Sequence, residues 1–452
     1  MKKLSAIVLA MCLMTACSGG DAAPGPSSGE PMSGESLSSQ TSSGAEEEET
    51  PSGQPGQQVG NIYLYGELHG VKAIYDRELE LWKDHYEKEQ TRHLFLELPY
   101  TPPKEIGPGI HEEETEEPGI IGDVTGVPND FLDIVLTDPI VRPVDRYTHE
   151  QMVTDIQSLQ NRYGDKIQVN VIGWSHDGRA IYEIIIGSME APKHVLLQGA
   201  IHGREYMTPL LMMSQVELAL ASYDMGHYNN MALSDMFQQT ALHFVPMTNP
   251  DGVAISQYGM AAIRSDFVRQ EVLASYARDV EAGKTTAPLE EYLPYWKSNG
   301  MGVDLNHNFP AHWEEMLLPT VAGSYANYKG TAPLSEPETQ ALAALSSQRN
   351  WAATISYHSM GNIIYWDTDS NQSAEGSLAL AQQISQVTGY GVNNSKGKGG
   401  YKDWMQVNGQ AAPSVTVEVG SVACPMPLSE FESVWNQNKG VWVSVMDFVI
   451  HR

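Results

Sequence analysis

The stretch Val195-Leu196-Leu197-Gln198-Gly199-Ala200-Ile201-His202-Gly203-Arg204-Glu205 decides the fold. Its first half is a short apolar run of the kind that forms a buried strand, and it breaks into a polar turn after Ala200. A long apolar helix is expected next, over residues 206–222. The same strand pattern returns in Leu242-His243-Phe244-Val245-Pro246, Ala353-Thr354-Ile355-Ser356-Tyr357-His358 and Ser414-Val415-Thr416-Val417-Glu418-Val419. Residues 148–163 read as a helix and residues 167–173 as a strand. Alternation of this kind implies an α/β fold with a mixed, mostly parallel central sheet and helices on both faces, covering residues 141–452. Each run ends beside a polar residue. Ligands of open α/β sheets gather beyond the carboxyl ends of the strands, so one site assembled from distant segments is expected.

His202 and Glu205, three residues apart at a strand-to-helix turn, can face one cation. Alone the pair is weak, since a glutamate at a helix start is also stabilised by the helix dipole. More arrives in order: Asn249-Pro250-Asp251-Gly252, Gly302-Val303-Asp304-Leu305-Asn306-His307-Asn308-Phe309, Ser356-Tyr357-His358-Ser359 and Thr416-Val417-Glu418-Val419-Gly420. His202, Glu205 and His358 make three protein ligands suited to one zinc ion, with a fourth position open for water or a carbonyl. Glu418 ends an otherwise apolar strand, where an unpaired carboxylate is costly. It is read as a general base; a glutamate paired to an unseen cation is the alternative.

On these ordered motifs the chain strongly resembles the zinc carboxypeptidase family, of which carboxypeptidase A is the best-known member. The resemblance implies a zinc metallopeptidase and assigns Arg264, fifteen residues after Asn249, as a carbonyl-polarising arginine. Read alone, Arg264 would be a helix-surface residue. Two departures stand out. Family members grip a terminal α-carboxylate with an Asn-Arg pair, whereas this chain has Asn306-His307, and imidazole lacks the bidentate fork of a guanidinium. Ser395 stands where the family's mobile tyrosine is expected, leaving Tyr401, Tyr390 or no residue for that role.

Asn308-Phe309-Pro310-Ala311-His312-Trp313, the run from Tyr328 through Ser335-Glu336-Pro337-Glu338, Gly361-Asn362-Ile363-Ile364-Tyr365-Trp366 and Gly399-Gly400-Tyr401-Lys402-Asp403-Trp404 look like the bacterial γ-D-glutamyl-diaminopimelate peptidases. That resemblance implies a muropeptide substrate, cut within the stem peptides of peptidoglycan. Lys402 then falls near the pocket floor, where it would meet a distal carboxylate and Asp403 an amine; a surface pair is the equal alternative. Two rival readings remain: a conventional metallocarboxypeptidase acting on peptide C-termini, and a non-catalytic lipoprotein that binds wall peptides.

The 452 residues carry a formal net charge of −29, which argues against a nucleic-acid partner because no basic stripe is present to neutralise phosphates. Met1-Lys2-Lys3 and the apolar run after it form an export signal, too short to span a bilayer stably. It ends at Leu13-Met14-Thr15-Ala16-Cys17, which resembles a lipobox and predicts a membrane anchor through lipid on Cys17; a plain secretory peptide is the alternative. Residues 18–59 are poor in large apolar residues and read as a disordered stalk. Residues 60–100 read as a short β-α-β segment weakly resembling the opening of the erythromycin-esterase and ChaN-like superfamily. They are taken as a remnant, or as a site built on Glu67 and His69. Residues 101–140 read as an acidic, proline-rich linker. Of the three cysteines, Cys424 alone would remain free, and no disulfide framework is possible.

Overall fold

The computed structural model describes residues 62–64, 136, 138–407 and 411–452, all within one compact unit, residues 54–452. The signal, lipobox and stalk lie outside the described residues, as do most of the 60–100 segment and of the linker. The strands of the main sheet are β1 (Ile62–Leu64), β2 (Ile167–Trp174), β3 (Ala180–Ile186), β4 (Lys193–Gly199), β5 (Thr240–Val245), β6 (Ala353–His358), β7 (Ile363–Tyr365), β8 (Gly391–Asn393) and β9 (Ser414–Glu418). They form one sheet in the order β1-β2-β3-β5-β4-β6-β9-β7-β8. The central four, β5-β4-β6-β9, are parallel, while β2–β3, β3–β5 and β9–β7 are antiparallel. The sheet is mixed and mostly parallel, as the strand runs implied.

Side-chain alternation sorts the strands onto two faces. Val195, Leu197, Ile355, Tyr357, Val415 and Val417 pack with α1 (His149–Tyr163), α2 (Met207–Ser222) and their neighbours. Leu196 and Val245 pack on the opposite face with α5 (Pro337–Ser346) and α6 (Tyr401–Val407), reached after α3 (Pro250–Tyr258), α4 (Asp266–Glu281) and the loop that carries Asp304. On that second face β6 and β9 present Thr354, Ser356 and His358 beside Ser414, Thr416 and Glu418. Two buried strands that are apolar on one face and polar on the other mark where the site lies.

Local chemistry fixes the element ends. Thr148 caps α1, its Oγ1 accepting the Gln151 N–H at 3.0 Å, and Gly164 ends the helix at φ +59°. Helix α2 is apolar all round because it is buried between the sheet and outer helices. Its one carboxylate, Glu217, accepts the backbone N–H groups of Ile140 and Val141 at 2.8 Å each, which pins the entry to this region.

Candidate metal centre

β4, β6 and β9 are adjacent and parallel, so their carboxyl ends open on one edge of the sheet. His358 and Glu418 are the last residues of β6 and β9, and the register pairs them directly, so their side chains leave the same face together. His202 and Glu205 arrive from the turn after β4. Ala200 begins that turn at φ +46°, a left-handed conformation that costs an alanine about 1–2 kcal/mol. Two bonds hold it there: the Ala200 N–H donates to Thr208 Oγ1 at 2.9 Å and its carbonyl accepts the Asn249 N–H at 3.1 Å.

The Asn-Pro-Asp-Gly motif braces this turn. Asn249 Nδ2 donates to the carbonyls of Ile201 and Ser298 at 3.1 Å each, and its Oδ1 caps α3 by accepting the Gly252 N–H at 2.9 Å. A Cβ on Gly203 would overlap the backbone of Gly252, so only glycine lets the two loops touch. Asp251 accepts from Ser175 Oγ, the Asp177 N–H and Arg179 Nη1, at 2.7, 2.8 and 2.8 Å.

The donor atoms converge. Glu205 Oε1 lies 2.8 Å from His202 Nδ1, Glu205 Oε2 lies 3.1 Å from His358 Nδ1, and the two Nδ1 atoms are 3.1 Å apart. His202 Nε2 stands 3.2 Å from Asp304 Oδ1. Since a buried carboxylate can only accept there, the Nε2 carries the proton and Nδ1 keeps its lone pair. Two ring nitrogens and the two oxygens of one carboxylate, facing one another at such distances, lack protons to satisfy all three contacts. Ligands at about 2.0–2.1 Å from a tetrahedral zinc are about 3.3 Å apart, close to the spacing seen. The donor set therefore fits zinc. Both imidazoles hold the Glu205 carboxyl well below its ordinary range against the effect of burial.

Glu418 stands at the rim of this group. Burial pushes its carboxyl up to about 7; the charge of Glu205 adds to the rise, and His358, Lys297 and Arg204 oppose it. Those last two cations were not foreseen. Lys297 Nζ lies 3.1 Å from Asp304 Oδ2, and Asp304, fully buried, also meets the Asn327 N–H at 3.1 Å. Tyr365 was missed too. It pairs with Thr416 across β7–β9, which places it on the Glu418 side of the sheet. An acid between Val303 and Leu305 was the available sign of a buried carboxylate; nothing in the sequence marked Lys297.

Other expected site residues are placed differently. Arg264 is not brought to the metal ligands: Nη2 pairs with Glu150 Oε1 at 2.9 Å, Nη1 donates to the Gly178 carbonyl at 3.1 Å, and its backbone N–H is held by Asp177. The turn after β2 draws it toward α1. Lys402 is neither free nor on the surface. Its Nζ pairs with Asp403 and donates to the Asp367 carbonyl at 2.6 Å, and both side chains are buried, so the Lys402 ammonium is committed to these partners. Tyr401 bonds Ser346 Oγ at 2.7 Å and Tyr390 bonds Asn438 at 2.8 Å, which commits both phenols to the core. Asn306 Oδ1 accepts the Tyr401 N–H at 3.0 Å. His307 stays partly open, with Nδ1 3.2 Å from Asp304 Oδ2 but not aligned for a hydrogen bond.

Residues 152–440 match the zinc carboxypeptidase family. The chain is 31% identical over 313 residues to γ-D-glutamyl-L-diamino acid endopeptidase 1 of Lysinibacillus sphaericus, covering 68% of this chain and 74% of that protein. It is 28% identical to the uncharacterized protein YqgT of Bacillus subtilis, covering 60% and 69% of the two chains. Among solved structures, thrombin activatable fibrinolysis inhibitor superposes with a TM-score of 0.53 at 19% identity, over 70% of this chain and 78% of that one. Carboxypeptidase A of Helicoverpa armigera gives 0.50 at 19% identity, over 70% and 77%. The chain thus belongs to the zinc carboxypeptidase family and is a zinc metallopeptidase.

Proposed function

We propose that this peptidase hydrolyses the γ-D-glutamyl bond to a diamino acid in peptidoglycan stem peptides, with His202, Glu205 and His358 holding the zinc and Glu418 as general base. The carrying observation is His307: the position beside Asp304 that faces the open side offers one imidazole N–H instead of a guanidinium fork, which weakens the grip on a lone terminal carboxylate. The 31% identity to a γ-D-glutamyl-L-diamino acid endopeptidase supports the same substrate class.

Bound zinc supplies a Lewis acid that polarises a carbonyl and acidifies water. Glu418 accepts the proton of the attacking water and passes it to the departing amine; its raised pKa suits a base working near neutrality. Lys297 and Arg204, whose charges reach Glu418, replace Arg264 as the cations that stabilise negative charge on the carbonyl oxygen. Asp304 fixes the His202 tautomer, and Asn306 and His307 contact the substrate. Asp403 neutralises Lys402, so the pair shapes the pocket floor without offering a net charge. Among the described residues no helix is long and apolar enough to cross a membrane. Work on wall peptides outside the cytoplasmic membrane accords with the export signal, and we place the anchor at lipid on Cys17.

Mass analysis of products tests the reading. Muropeptides incubated with the zinc-loaded full chain are expected to be cut between D-glutamate and the diamino acid, with simple C-terminal peptides cleaved far more slowly. Faster release of ordinary C-terminal residues, or no cut at the γ-glutamyl bond, would overturn it.

A further inference from the structure

The Ser335-Glu336-Pro337-Glu338 run has no part in the reaction, yet it builds a second group of metal-ligating chemistry. A ring nitrogen of His176 and one carboxylate oxygen from each of Glu336 and Glu338 lie within 4.8 Å of one another. His176 Nε2 is 3.0 Å from Glu336 Oε2, nearly the imidazole-to-carboxylate spacing found at the first centre. Glu336 Oε1 accepts from Ser335 Oγ at 2.7 Å. Asn299 Nδ2 donates to Glu336 Oε2 at 2.8 Å and to Glu338 Oε2 at 3.1 Å. The amide cannot turn over, because its Oδ1 accepts the N–H groups of Met301 and Val303 at 3.0 Å each.

One oxygen is left over. Glu338 is completely buried, and its Oε1 has no hydrogen-bond partner. Buried, unpaired carboxylate oxygen is costly, and the nearby Asp251 already gives both its oxygens to Ser175, Asp177 and Arg179. Among the described residues no lysine or arginine bonds either glutamate. Hydrogen bonds from Asn299 and Ser335 onto the other oxygens are what carboxylates bound to a metal ordinarily receive from their surroundings. The His176 side chain is 25% exposed, which leaves a way in.

We propose that His176, Glu336 and Glu338 form a second, non-catalytic site for a divalent transition-metal ion. One imidazole with two carboxylates suits zinc or manganese, and not calcium or magnesium, which take oxygen ligands. Through Asn299 the ion braces the segment from Asn299 to Val303, directly before Asp304, and so stiffens the support of the first centre without touching substrate. Binding displaces the proton shared by His176 and Glu336.

The test is metal stoichiometry on the full chain, stripped with chelator, equilibrated at micromolar free Zn2+ or Mn2+, and read by elemental mass spectrometry. Wild type is expected to hold two ions. Glu338→Gln and His176→Gln are each expected to hold one, His202→Ala one, and His202→Ala with His176→Gln none. His176→Gln changes a partly exposed side chain, so it keeps the test valid if Glu338→Gln fails to fold. A single ion in wild type overturns the proposal, with Glu338 then a protonated, ion-free carboxyl. Two ions retained in both single variants overturn it as well, since the second ion would then lie elsewhere.

Discussion

Asp304→Asn isolates how far the first centre depends on a residue that is not itself a ligand. The Asp304 carboxylate is fully buried and meets His202 Nε2 at 3.2 Å, Lys297 Nζ at 3.1 Å and the Asn327 N–H at 3.1 Å. Burial opposes its ionisation, but Lys297, His307 and His202 hold the carboxyl well below its ordinary range, so it is charged at every working pH. Asparagine preserves shape and removes the charge. A hydrogen bond to a charged group contributes about 1.5–3 kcal/mol against about 0.5–1.5 for a neutral one, so His202 loses roughly 1–1.5 kcal/mol of orientation and basicity. Lys297 also becomes an uncompensated cation beside a dication. Both effects act in one direction, and the expected result is zinc bound about 10–100-fold more weakly, or about 1.4–2.7 kcal/mol. Chelator-competition titration at neutral pH measures this, with circular dichroism to verify the fold. A folded variant whose zinc Kd stays within about twofold of wild type would show that Asp304 does not set the affinity of the centre.

Glu418→Gln should lower kcat by about 10²–10⁴-fold while zinc stoichiometry is unchanged, because the variant removes a base and no ligand. Lys297→Met should cost about 10²-fold in kcat/KM; Arg264→Ala should leave kcat near wild type and cost at most about 1 kcal/mol of stability, since its partner Glu150 is half exposed. The reverse ranking in steady-state assays would restore Arg264 to the site. As the proposed base Glu418 works ionised, so kcat/KM should fall as pH drops through its pKa, which burial sets at about 7 and a bound cation draws lower. A rate that stays flat down to acid pH would exclude Glu418 as the titrating base.

The sheet was legible because its strands are buried on both faces and so read as continuous apolar runs: β4, β5, β6 and β9 fall on those runs to within two residues at either end. The candidate ligands stood out because each ends one of those runs or follows it directly. Arg264 and Lys297 illustrate what was not. Both are cations in loops, and which one reaches the centre depends on whether Asp177 and Glu150, or Asp304, lie nearby, a tertiary fact that spacing from Asn249 does not encode. Lys402 and Asp403 were visible as neighbours in sequence, but their burial as a closed pair was not, because one helical turn decides it.

His202 and His358 are separated by 156 positions along the chain. The local half of the candidate site, His202 and Glu205, forms with the first strand-helix unit, but the remaining candidate ligand arrives only when β6 has slotted between β4 and β9. Tight metal binding is therefore a property of long-range topology and must come late in folding, so uptake of zinc by a refolding chain serves as a clock for closure of the sheet. Once taken up, the ion acts as a latch: at a thousandfold excess over its Kd it adds about 4 kcal/mol against unfolding, which for a chain this acidic offsets part of its self-repulsion.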